Sequence, residues 1–107
     1  MTRARLPNRR AAVTLEFDHV TPRLATIPYV ATVGFHDDGR IGEVFLNTAK
    51  VGTDLDVATK DAAILLSFAL QHGATISAIR AAMTRGADGR PEGVMGTLLD
   101  LIGEAAA

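Results

Sequence analysis

The stretch DGRIGEVFLNTAKVGTDLD, residues 38–56, contains the residue types from which phosphate-binding sites are built. A phosphate cradle needs N–H groups at a helix start, a glycine that lets the backbone approach, and a cation. Lys50 and Gly52 stand just before a predicted helix start, but Asp54 and Asp56 follow in its first turn, where their charge opposes a phosphate. The full GxxxxGK[ST] pattern is also absent. We therefore favour a structural junction, with an anion or nucleotide site at Lys50 and Gly52 as the alternative.

Two other groups of side chains could perform acid–base or nucleophilic chemistry. Glu43 lies on a predicted strand just after the turn acids Asp37 and Asp38, yet a general acid or base needs a partner and a pocket that the sequence does not specify. Ser67 and His72 lie five residues apart on one predicted helix with no acidic residue to orient the histidine. We expect solvated carboxylates and a structural serine, and predict no catalytic residue.

Metal and thiol chemistry are disfavoured by the composition. The three histidines, His19, His36 and His72, are too far apart in sequence to form a local metal site, and the chain has no cysteine. This excludes a disulfide framework, a thiolate zinc site and thiol catalysis. We expect no metal, no cofactor and a cytoplasmic location.

Positive charge is concentrated at the start of the chain. Residues 1–10 contain four arginines and no acid, whereas residues 11–107 contain seven Lys or Arg and twelve Asp or Glu. We predict a flexible basic arm over residues 1–10, either solvated or lying on the acidic body. The alternative is an arm that binds nucleic acid or another acidic partner. The arginines are Arg3, Arg5, Arg9 and Arg10.

The remainder of the chain, residues 11–107, has the size and composition of one domain. Hydrophobic residues make up 48% and charged residues 21%, which is typical of a globular protein. No apolar run approaches the roughly 18 residues that span a membrane. The basic start is followed by no apolar segment of the kind found in secretory signals, so we expect no membrane association.

Alternating apolar residues predict the strands. Val13, Leu15 and Phe17 alternate with polar residues, which indicates a half-buried strand over residues 11–18. Residues 19–28 contain two prolines and are predicted to form a loop or an irregular edge segment.

A hairpin is predicted next, with arms at residues 29–35 and 41–46. The arms are rich in β-branched and aromatic residues, and the sequence Asp-Asp-Gly at 37–39 suits the turn between them. The alternation breaks at Gly42, so a β-bulge is expected there.

Helical periodicity and capping residues predict two or three helices. Thr53 is a suitable N-cap and Gly73 a suitable stop for a helix whose wide apolar face predicts burial on more than one side. Shorter helices are predicted over residues 75–86 and 92–107. The residues expected to face inward in the last helix are Val94, Leu98, Leu101 and Ile102.

Three strands followed by helices predict an α+β fold, in which a three-stranded antiparallel sheet has two or three helices packed on one face. Such a sheet leaves an edge or a face uncovered, so we expect a homodimer. Gly93 and Gly96 would also permit close approach of another helix or a ligand.

The order of features over residues 28–85 resembles the TSCPD domain. This module occurs at the C-terminus of many cobalamin-dependent ribonucleotide reductases and as small stand-alone bacterial proteins. The matching features are an E-[VI]-F motif, a polar loop with lysine and glycine, a long helix with a serine, and a short helix. They correspond to Glu43–Phe45, to Lys50 and Gly52, to Ser67–Gly73 and to Ile76–Met83.

The resemblance implies a non-catalytic accessory or ligand-binding module related to ribonucleotide reductase, with the reductase or a nucleotide as its partner. The family is named for a Thr-Ser-Cys-Pro-Asp motif, and a chain without cysteine cannot carry out any role of that thiol. The alternative function is nucleotide or nucleic-acid binding through the arginine arm. The candidate ligand-binding residues are Lys50, Gly52, Glu43, Arg9 and Arg10.

Overall fold

The computed structural model describes residues 2–48 and 53–106. Three antiparallel strands in the order β1-β2-β3 are followed by three helices, which confirms the predicted α+β fold. The elements are β1 (Ala12–Val20), β2 (Thr26–Phe35), β3 (Ile41–Thr48), α1 (Asp54–Gln71), α2 (Ile76–Ala82) and α3 (Val94–Ala106).

The connection between β1 and β2 is shorter than the sequence predicted, because both strands extend into residues 19–28. Asp18 pairs with Pro28, and the pairing continues to Val20. Pro28 is tolerated in the central strand because the last described pair between β2 and β3 is Tyr29 with Thr48. The N–H that proline lacks would point toward β3 beyond that pair, so it removes no hydrogen bond from the described ladder.

The hairpin between β2 and β3 has the predicted turn and bulge. Gly34 pairs with Glu43 and Phe35 pairs with Ile41, so Gly42 is the extra residue of the bulge. In the turn, Gly39 has a φ of 90°, a conformation that side chains other than glycine rarely adopt.

The core lies on one face of the sheet. Inward-facing residues of β2 and β3 pack against α1 and α3, and the opposite face carries polar or exposed side chains. Burial of this apolar surface is the main favourable contribution to folding. The fully buried core consists of Tyr29, Ala31, Val33, Val44, Leu46, Ala63, Leu66, Leu70, Leu98, Leu99 and Ile102.

Helix α1 covers the outer edge of β3 with a stripe of small and polar side chains spaced four residues apart. The stripe is Thr59, Ala63, Ser67 and Gln71, and its members lie on one side of the helix. The Gln71 amide nitrogen donates to the carbonyl of Gly42 at 2.8 Å. Because α1 bonds to this edge, its hydrogen-bonding groups are shielded from pairing with another chain.

The outer side of α1 does not have the predicted burial. Among the described residues nothing covers Ile64 or Leu65, whose side chains are 50% and 71% exposed. The wide apolar face predicted burial on more than one side, but within the described residues α1 packs only against β3 and the core. Leu55, Val57 and Phe68 are also exposed.

The last two helices differ in detail from their predictions. Helix α2 ends at Ala82, four residues before Gly86, because the chain then forms a second small hairpin in which Arg85 bridges to Pro91. In α3, Leu98 and Ile102 face the core as expected. Leu101 was predicted to face inward and is exposed.

Candidate functional site

A cavity of about 640 Å³ opens between the inner face of the sheet and the helices. Side chains from β1, β2 and β3 form one wall, and residues of α1, α2 and α3 form the other. Both walls are mainly apolar. Their larger side chains are Val13, Leu15, Val33, Phe35, Ile41, Leu70, Ile76 and Ile102.

The polar groups of the cavity lie at its rim, on two turns. Among the described lining residues, the polar side chains are Asp38 and Arg40 of the β2–β3 turn and Thr75, the N-cap of α2. The Asp38 carboxylate accepts a hydrogen bond from the backbone N–H of Arg40 and another, at 2.6 Å, from the Arg40 guanidinium. These two contacts, the backbone one more strongly, hold the pKa of Asp38 below its usual value. The rim therefore presents an ion pair, a hydroxyl and backbone groups above an apolar interior.

The size and lining of this cavity fit a small molecule. Ligand sites in proteins occupy roughly 300–1,000 Å³ and combine apolar walls with a few polar groups. An apolar part of a ligand can be enclosed, while a polar or charged end lies near Arg40 and Thr75. The arrangement offers binding, and it places no acid–base pair inside the cavity among the described residues.

Two predicted ligand-binding residues, Glu43 and Arg10, contact each other on the opposite, open face of the sheet. The Arg10 guanidinium forms an ion pair with the Glu43 carboxylate through Nε and through Nη2, the latter at 3.1 Å. The Glu43 side chain lies across Gly34, where an added Cβ would be 2.5 Å from Oε2. Glu43 thus takes part in a structural contact between the arm and the sheet.

The arm also contacts the end of α1. Arg3 donates to the side-chain oxygen of Gln71 at 2.5 Å and lies over the ring of Phe68, 4.3 Å from its centre. Arg5 and Arg9 are exposed. Two of the four arginines therefore contact the domain itself. The predicted flexibility of the arm, and its binding to nucleic acid, remain predictions.

Lys50 and Gly52 lie outside the described residues. The helix start that follows them has its own caps, since the Thr53 hydroxyl accepts from the backbone N–H of Asp56 at 3.2 Å. The Asp56 carboxylate is buried and pairs with Lys60 at 3.0 Å. These are ordinary capping contacts of a helix start, and the ligand-binding role of Lys50 and Gly52 stays a prediction.

Ser67 and His72 bond to different partners. The Ser67 hydroxyl accepts from the N–H of Val44, and the ring nitrogen Nδ1 of His72 lies 2.8 Å from the carbonyl of Phe68. Ser67 faces the β3 edge and His72 is exposed at the end of α1. The structure assigns the serine a role in packing the helix against the sheet.

Sequence reasoning missed the role of His19. This residue is 3% exposed, and its two ring nitrogens lie 2.8 Å from the hydroxyl of Thr97 and 3.1 Å from the carbonyl of Glu92. It therefore fastens β1 to the start of α3. Continuing the alternation of Val13, Leu15 and Phe17 by one step would have placed His19 on the inner face.

A second missed contact joins α2, the following hairpin and α3. Asp100 accepts from Arg80 at 2.9 Å and from Arg85 at 2.7 Å and 3.1 Å. Hydrogen bonds from Arg85, assisted by Arg80, lower the pKa of Asp100 to about 2 although burial opposes the shift. The contact is structural and lies away from the residues that line the cavity.

The architecture places the chain in the class of small α+β domains with a single three-stranded sheet and a cavity of ligand size. More specifically, it belongs to the TSCPD domain family, whose family model matches residues 9–105. The match extends well beyond residues 28–85, on which the resemblance was based.

No curated protein and no solved structure gave a significant match. Among the described residues no helix has the length and apolar character needed to cross a membrane.

Proposed function

We propose that this protein is a non-catalytic ligand-binding module, and that its ligand occupies the cavity between the sheet and the helices. The observation that supports this proposal most is the cavity itself, which has about 640 Å³ of space and an apolar wall. The cavity is open to solvent on one side, so its apolar wall is in contact with water in the free protein. A bound molecule would remove this apolar surface from water, which is favourable.

The engaged side chains support a binding role over a catalytic one. Ser67 forms hydrogen bonds to the β3 edge, and Glu43 forms an ion pair with Arg10. A nucleophile or general base would have to give up these contacts to react. The ligand that fits best has an apolar body and one polar or anionic end directed to Arg40 and Thr75.

A change of thermal stability on ligand binding tests this role. The intact protein is screened with ribonucleotides, deoxyribonucleotides and small apolar carboxylates, because a ligand that binds only the folded state raises the melting temperature. Ala74→Phe places a bulky side chain at the cavity, and Ala81→Phe on the exposed side of α2 is the matched control. A shift that is lost in the first variant and kept in the second supports the proposal. No shift with any compound, or equal shifts in both variants, contradicts it.

We propose further that the module is an accessory to ribonucleotide reductase, which links it to deoxyribonucleotide synthesis. The support for this step is membership of the TSCPD family together with the family's occurrence in that enzyme. The purified protein is mixed with a cobalamin-dependent reductase, and co-elution and turnover are measured. Absence of both binding and any effect on turnover contradicts the accessory role and leaves the ligand-binding proposal standing.

Nucleic-acid binding through the arm is the second candidate, supported by the exposure of Arg5 and Arg9. Binding to phosphates by arginine weakens steeply as salt concentration rises. Replacing both residues by alanine should then abolish salt-sensitive binding to single- or double-stranded DNA or RNA. If the intact protein binds no nucleic acid at low salt, this candidate is excluded.

A further inference from the structure

The outer edge of β1 has no neighbouring strand among the described residues. β1 is the terminal strand of the sheet, and the N–H of Phe35 on β2 donates to the carbonyl of Ala11 at 3.0 Å. In an antiparallel pair, the backbone groups of successive residues point to alternate sides. The odd-numbered residues of β1 therefore bond to β2, and the N–H and C=O groups of the even-numbered residues, such as Thr14 and Glu16, point outward.

The two edges of the sheet differ in this respect. At the β3 edge, side chains of α1 bond to the outward backbone groups, as Ser67 does with Val44 and Gln71 with Gly42. β1 has no such helix alongside it in the described part of the chain. The fold thus leaves one edge open and seals the other.

β1 also lacks most of the features that usually prevent edge-to-edge pairing, and its charged residues, Glu16 and Asp18, limit the pairing to certain registers. Natural edge strands are often short or contain proline, lysine or a bulge. β1 is nine residues long, its sequence AVTLEFDHV has none of those residues, and its pairing with β2 runs from Ala12 to Val20 without a register shift. A long regular edge of this kind is a site for β-augmentation.

We propose that β1 pairs antiparallel with β1 of a second copy of this chain, which joins two three-stranded sheets into one of six strands. The charge distribution along the strand specifies this occupant. The exposed Arg9 precedes β1, and Glu16 and Asp18 lie in its C-terminal half, whereas Arg10 is already paired with Glu43 on the side of β3. Antiparallel self-pairing brings the basic start of each strand beside the acidic end of the other, whereas parallel pairing would align like charges.

The acidic residues also restrict the register. Two-fold pairings that place Glu16 opposite Glu16, Glu16 opposite Asp18, or Asp18 opposite Asp18 put like charges face to face, which is destabilising. The registers centred on Thr14 or on Leu15 avoid all three. In both, Val13 and Leu15 remain on the inner face, so the apolar surface of one sheet continues into the other. Val13, which is 50% exposed in the single chain, would gain a neighbour there.

The molar mass in solution tests the proposal. Sedimentation equilibrium of the intact protein should give twice the chain mass of 11.3 kDa at high concentration. Thr14→Pro removes an outward N–H that β2 does not use and inserts a ring at the edge, so it should yield a folded monomer. Thr14→Ser keeps that N–H and is the matched control, which should remain dimeric. Circular dichroism shows whether each variant is folded.

Cross-linking gives a second measurement that does not depend on the proline variant. The chain has no cysteine, so a single introduced thiol reports on one position. Thr14→Cys should form a disulfide-linked dimer under mild oxidation in the register centred on Thr14, and Leu15→Cys should do so in the register centred on Leu15, because each residue then lies opposite its own copy across the two-fold axis. Asn47→Cys, on the exposed face of β3, should not. A protein that stays monomeric up to its solubility limit, or cross-linking of Thr14→Cys and Leu15→Cys no greater than that of Asn47→Cys, would overturn the proposal.

Discussion

The hydroxyl of Ser67 on α1 bonds to both backbone groups of Val44 on β3. It accepts from the N–H at 2.9 Å, and its proton is shared between the carbonyl oxygens of Ala63 at 2.9 Å and Val44 at 3.1 Å. A neighbouring strand would normally satisfy those groups. Here a helix does so with a side chain, and this explains why a serine stands in an otherwise apolar part of α1.

Loss of this hydroxyl should lower stability. Ser67→Ala leaves the Val44 backbone groups without their partner, and an unsatisfied buried polar group costs about 1–3 kcal/mol. Urea denaturation monitored by circular dichroism measures the difference in unfolding free energy. Ser77→Ala, at an exposed position on α2, is the control and should change stability by less than about 0.5 kcal/mol. Equal effects at the two positions would show that the hydroxyl is not required at the edge.

The two glycines near the start of α3 should respond differently to alanine. A Cβ on Gly96 would lie 2.8 Å from the Cβ of Pro91, whereas one on Gly93 would meet nothing within 4 Å. Gly96→Ala forces Pro91 and the hairpin away from the helix, and overpacking of this kind costs about 1–3 kcal/mol. Gly93→Ala should be nearly neutral. The urea midpoints of the two variants, compared with that of the unchanged protein, provide the measurement.

The ion pairs of Asp100 should make stability depend on pH in acid. The folded pKa is about 2, below the unfolded value of about 3.9, so the carboxylate contributes stability above pH 4 and loses it as the pH falls toward 2. At pH 7, Asp100→Asn should cost about 1–2 kcal/mol, since partial exposure of the contact to water weakens it.

Titrating the unfolding free energy of both proteins from pH 7 to pH 3 provides the test. The difference between them should shrink to about half by pH 3, because the unfolded carboxyl is then mostly protonated. Asp61→Asn, at an exposed position on α1, is the control for a change of net charge. A difference that stays constant with pH would mean that the Asp100 carboxylate contributes no charge-dependent stability.

Local signals in the sequence predicted those parts of the fold that depend on local interactions. Thr53 and Thr75 cap their helices, Gly73 follows α1 with a positive φ, and Gly42 is the bulge. Each depends on residues a few positions away, so one segment of sequence contains the information. The end of α2 was misplaced because Arg85 and Pro91 pair with each other instead of extending the helix.

The candidate site depends on contacts between distant segments, which no local pattern contains. His19 meets Thr97, 78 residues later, and Arg10 meets Glu43 across the open face of the sheet. Glu43 and Arg10 were both selected as candidates, but their pairing was not predicted. The cavity was missed entirely, because it forms where three strands and three helices meet and its apolar lining resembles any core.

The arm should contribute to stability through Arg3 and not through Arg5. Arg3 bonds to Gln71 and lies over Phe68, whereas Arg5 is exposed. Removing a cation that stacks on an aromatic ring at a partly exposed site costs about 0.5–1 kcal/mol, so Arg3→Ala should lower the unfolding free energy by about 1 kcal/mol. Arg5→Ala removes the same charge and serves as the matched control, with no measurable loss. Urea denaturation at low and at high salt separates the contribution of the Arg3 contacts from that of the net charge of the arm. Equal losses in both variants, disappearing together in salt, would show that the arm acts only through its net charge.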